Sequence, residues 1–162
     1  MTQLSRTREL MCPYARAIDY FDRYLRDLPF SDFGSGRVLR LRAALEAVGI
    51  GGDLAVDRDV IASFDPAMQT HGLEHGVVVD WIPAGGGPFP KFHGSLALAA
   101  RDPKSCTMSL QGDYEPPLGP IGKAFDAALG HRIAESTGDD LLKVICDRIE
   151  LDYATDEPHL SR

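Results

Sequence analysis

The sequence predicts an α+β domain, and three observations carry that prediction. Between residues 54 and 114, four segments alternate apolar and polar residues with the period of two expected of half-buried strands. GGGPFP at 85–90 and RDPKS at 101–105 separate the last three of them with turn chemistry, as in an antiparallel meander. From Pro120 to Glu150 the apolar spacing becomes helical, so a sheet with one apolar face is followed by an element able to cover it.

Element by element, the first strand is expected over Arg8–Tyr14, where Leu10, Cys12 and Tyr14 alternate with Glu9 and Pro13. Ile18, Phe21, Leu25 and Leu28 then line one side of a helix that ends near Pro29. The stretch Arg37–Val48 fits either period. Its run of strong helix formers, closing on Gly49, favours a second short helix. Strands are predicted over Leu54–Phe64, His75–Ile82, Phe92–Ala100 and Cys106–Tyr114. In the first of these Arg58 interrupts a face otherwise made of Leu54, Val56, Val60, Ala62 and Phe64.

The final helix carries Ile121, Phe125, Leu129, Ile133, Thr137, Leu141, Ile145 and Ile149 along one stripe. At about 1.5 Å per residue it is roughly 45 Å long. Gly130 and Gly138 inside it predict close packing rather than a bend. The polar sequence after Tyr153 predicts a flexible tail over 154–162, and the chain reads as one domain over 1–162.

Composition narrows the function. Acidic residues outnumber basic ones 24 to 17, a net charge of −7 that repels phosphate backbones, so nucleic acid is not an expected partner. Cys12, Cys106 and Cys146 form neither an even set nor a CxxC pair, which predicts a reducing, cytoplasmic setting. No run of about 18 apolar residues predicts a membrane span. His71 and His75 have HxxxH spacing within turn-like sequence, GGGPFP lacks a P-loop lysine, and GxSxG is absent. No metal, cofactor or catalytic residue is therefore assigned. Cys106 reads as core, and His93 and His131 as solvated.

The order of strand, two helices, meander and long C-terminal helix resembles the helix-grip fold of the START and SRPBCC superfamily, which includes polyketide cyclases, lipid-transfer domains and pollen allergens. FPKFHGSLAL and LQGDYEPPLGPIGKAFDAALGHRIAEST, with YEPPLG at Tyr114–Gly119 the most diagnostic piece, look like an uncharacterised bacterial branch of it. The resemblance implies a curved antiparallel sheet wrapped around the last helix, with an apolar cavity between them, and carries no established reaction. YEPPLGP also makes sense physically, because its prolines end a strand and open a helix.

On that arrangement Val60, Val77, Val79, Trp81, Leu96, Leu98, Met108 and Leu110 from the sheet, with Phe125, Leu129 and Ile133 from the helix, face the ligand space. Arg58 and Tyr114 are its polar handles. The expected function is binding or carriage of an apolar small molecule or lipid-like ligand. The alternatives are a polyketide cyclase- or dehydratase-like enzyme, and a protein-interaction module with a filled cavity. A homodimer is left open.

Overall fold

A computed structural model of the chain describes residues 2–32, 36–44, 55–66, 74–85, 91–115 and 127–158. Six strands, β1 (Thr2–Leu10), β2 (Arg37–Ala44), β3 (Ala55–Pro66), β4 (Glu74–Pro83), β5 (Lys91–Asp102) and β6 (Ser105–Glu115), join helices α1 (Tyr14–Asp27) and α2 (Ala127–Asp156). The strands form one antiparallel sheet in the order β1-β6-β5-β4-β3-β2. The meander predicted from Leu54 to Tyr114 is thus its centre, and β1 and β2 are its edges.

Both edges differ from the sequence expectation. β1 begins at Thr2 rather than Arg8 and stops at Leu10, while Pro13 takes the N-cap of α1 and its carbonyl accepts the Arg16 and Ala17 amides. The reason lies in its inward positions, Leu4, Arg6, Arg8 and Leu10, where two arginines break the apolar alternation. Arg37–Ala44, expected to start a second helix, is the strand β2, paired from Arg37↔Ala62 to Ala44↔Ala55. Pairing and the burial of Leu39 and Leu41, with Arg40 and Arg42 outside, outweigh helix propensity there. Residues 45–48 of that expected helix lie outside the described residues.

α2 has 30 residues, about 45 Å, and continues past Glu150 to Asp156. Thr137, Leu141, Ile145 and Ile149 of the predicted stripe are buried, joined by Ala134, Leu142, Cys146 and Tyr153. The buried Thr137 hydroxyl donates to the Ile133 carbonyl at 2.7 Å. Gly138 lets α2 settle onto β1 and β6, because a Cβ there would lie 3.3 Å from Leu4, Arg6 and Leu110 side-chain atoms.

The helix holds both edges of the sheet. Arg6 on β1 makes two 2.6 Å hydrogen bonds to Asp139, and Arg8 lies 3.7 Å from Asp147. On the other edge, the Arg42 amide of β2 donates to Asp140 at 2.9 Å. One helix can reach the first and last strands only if the sheet curls around it. α1 covers the opposite end, burying Ala17, Tyr20 and Phe21, and Asp22 meets His75 Nε2 at 2.8 Å. His75, expected to open the strand His75–Ile82, is the second residue of β4.

Candidate functional site

The strand register sets an aromatic row across the concave face of the sheet. Trp81 of β4 pairs with Phe92 of β5, which pairs with Tyr114 of β6. Alternation turns all three inward, and all are buried. Trp81 and Phe92 stack with centroids 4.4 Å apart and planes 18° from parallel. Phe92 lies flat because Gly94 and Gly112, paired beside it, have no side chains. A Cβ on either would come within 2.8 Å of the Phe92 ring.

A chain of polar groups leads from the end of this row to solvent. The Tyr114 hydroxyl lies 3.3 Å from His131 Nδ1 on α2. On the far side of that ring, His131 Nε2 lies 3.2 Å from Glu135 Oε1, one helical turn on. Arg6 Nη1 reaches the same carboxylate oxygen at 3.4 Å while its other nitrogens hold Asp139. The Asp139 hydrogen bond is the main reason the Arg6 pKa lies above its ordinary value, with burial opposing.

The order of partners suits one tautomer of His131. A carboxylate only accepts, so a neutral imidazole with its proton on Nε2 faces Glu135 with a donor and leaves the Nδ1 lone pair for the Tyr114 hydroxyl. The arrangement can draw a proton from the phenol and stabilise the imidazolium that results. It can equally present the phenol as a donor to a bound carbonyl or hydroxyl oxygen.

The sheet residues predicted for the site, Val60, Val77, Val79, Trp81, Leu96, Leu98, Met108, Leu110 and Tyr114, are all buried on the inner face, none more than 8% exposed. They divide by position. Met108 meets Cys146 of α2 at 4.0 Å between sulfurs, and Leu110 lies beneath Gly138, so this half is packed core. Trp81 and Tyr114 share the aromatic end. Ile133 is partly buried against the core. Arg58 pairs with Leu41 in the backbone register, but its side chain, like that of Leu129, lies outside the described residues, as does Phe125 altogether.

Sequence reasoning missed Phe92, Arg6, Glu135 and His131. His131 does not point only to solvent; it faces Tyr114 with 42% of its side chain exposed. The available signal was the four-residue spacing of His131, Glu135 and Asp139, a row along the flank of α2 beside β1. The three cysteines are buried free thiols. Burial pushes Cys12 and Cys146 up to about 12 and Cys106 to about 11, which makes them poor nucleophiles. Asp80 and His93 pair on the outer face, away from the row. Among the described residues no helix is long and apolar enough to cross a membrane.

No protein-family model matches the chain, and no curated protein matches its sequence. Solved structures match its fold over nearly the full length. The Zhui aromatase/cyclase from Streptomyces sp. R1128 superposes with a TM-score of 0.56 at 11% identity, covering 97% of each chain. A conserved protein from Geobacillus kaustophilus gives 0.58 at 13% identity, covering 93% of this chain and 97% of the other. A START superfamily protein from Mycobacterium smegmatis gives 0.54 at 16%, covering 92% and 97%. At these identities the shared property is the fold.

Proposed function

The chain has the START-like helix-grip fold, and from that premise we propose that it binds an apolar small molecule or lipid-like ligand between the concave sheet and α2. The aromatic row carries this reading. Trp81, Phe92 and Tyr114 offer an apolar surface ending in one polar handle, the combination that orients a ligand in an otherwise greasy site. The ligand enters at the aromatic end, parting the row from the start of α2, because the other half of the inner face is closed by Met108, Leu110 and Cys146.

Native mass spectrometry of the protein from its own host tests the proposal. A stoichiometric apolar molecule is expected, and Tyr114→Phe should weaken its binding by about fivefold, the worth of roughly one neutral hydrogen bond. A reproducibly empty protein, unshifted in melting temperature by lipid, quinone and polyketide panels, would overturn it.

The Tyr114–His131–Glu135 chain favours a second reading, a cyclase- or dehydratase-like enzyme that moves a proton on the bound molecule. In that case Tyr114→Phe and His131→Gln keep the ligand but lower turnover by about a hundredfold or more. Ligand turnover unchanged in both variants leaves only the carrier.

A further inference from the structure

Away from the concave face of the sheet, α1 and α2 flank a cleft of about 570 Å³, within the size range of small-molecule sites. Its apolar wall is Leu28, the C-cap of α1, with Val144 and Leu151 on α2, and the last two are 39% and 59% exposed. Tyr24 adds a ring and Asp27 a carboxylate. Burial raises the Tyr24 pKa to about 12, so its phenol is neutral at physiological pH.

The charges in the cleft are unequally answered. Arg148 is held by Asp152 at 3.1 Å, and Asp147 by Lys143 at 2.6 Å. Among the described residues neither the Asp27 carboxylate nor the Tyr24 hydroxyl has a hydrogen-bond or ion-pair partner. The cleft therefore combines an anion without a partner among the described residues, an aromatic face and exposed aliphatic surface. The net charge of −7 adds a field that attracts cations and repels anions.

We propose that this cleft is a second ligand site, independent of the concave face, for a small organic cation with an apolar body. The ammonium of such an amine pairs with Asp27 and lies near the Tyr24 ring, while its alkyl or aryl body covers Val144 and Leu151. A carboxylate of the same shape meets repulsion, and an alcohol gains the apolar contact alone.

Amide NMR titrations of the full chain with phenylbutylamine, phenylbutanol and phenylbutyrate test this. The amine is expected to shift the Leu28, Val144 and Leu151 amides saturably, with the alcohol binding about three- to fivefold more weakly and the carboxylate more weakly still. Asp27→Asn should reduce amine affinity by a similar factor of about three to five. That change is safe for folding, since it removes an acidic group from the C-terminal end of α1, where the helix dipole disfavours one. Equal affinity for amine and alcohol, or an unaltered Asp27→Asn titration, would overturn the proposal. Shifts centred instead on Trp81, Phe92 and Tyr114 would also overturn it while supporting the concave-face site, so the two readings fail separately.

Discussion

Glu157 shows how much one side chain beyond the last helix can do. A single carboxylate oxygen accepts from Arg16 Nε and from the Tyr20 hydroxyl, each at 2.9 Å, tying the end of α2 to α1. The Arg16 hydrogen bond is the largest influence holding the Glu157 carboxyl below its ordinary pKa. A group depressed in the folded state stabilises that state above its unfolded value, and the contribution disappears as pH falls through the folded value. The wild-type protein should therefore lose stability as the medium is acidified below the ordinary glutamate range, about 4.3. Glu157→Gln should start less stable at neutral pH and show a shallower acid slope. Urea midpoints measured across that range decide it, and parallel slopes for the two proteins would show that the Arg16–Glu157 contact contributes nothing to acid sensitivity.

Among the elements, α2 is where sequence and structure agree best, and the reason is instructive. Its core stripe is set by its own 3.6-residue period, so Thr137, Leu141, Ile145 and Ile149 were legible as buried without knowledge of the partner surface. The strands of the meander were legible for the same reason at period two. β1 was not, because its inward Arg6 and Arg8 answer carboxylates more than a hundred residues away. β2 was not, because its strong helix formers are overruled by pairing with β3. The site divides in the same way. Trp81 and Tyr114 follow from strand parity, whereas the roles of His131, Glu135 and Arg6 depend on where the flank of α2 lands. Gly138 measures how closely it lands. Alanine there gains about 1 kcal/mol of helix propensity but sets a Cβ 3.3 Å from three side-chain atoms, so Gly138→Ala should be near neutral. Gly138→Val adds two further carbons beyond that Cβ, with no space to enter, and should cost about 2–3 kcal/mol. Chemical denaturation checks both, and a freely tolerated valine would mean that α2 does not sit against Leu4 and Leu110.

At the scale of the whole molecule, the question is what keeps a curled sheet from pairing with a neighbour along its two open edges. Strand edges are usually blunted locally, by charge, bulges or prolines. Here one helix serves both, since adjacent residues of α2 reach opposite ends of the sheet, Asp139 to Arg6 on β1 and Asp140 to the Arg42 amide on β2. The edges are then coupled: an opening that frees one must move the element that holds the other. Native-state hydrogen exchange should accordingly find the Arg42 amide, on an edge strand, protected well beyond an ordinary edge amide and opening together with α2. Asp140→Ala removes its acceptor and should speed exchange at Arg42 while leaving the β1 amides paired with β6 at their wild-type rates. If Arg42 already exchanges at the rate of an unprotected amide in the wild type, α2 does not hold β2, and the closed grip that the concave-face site requires would fail with it.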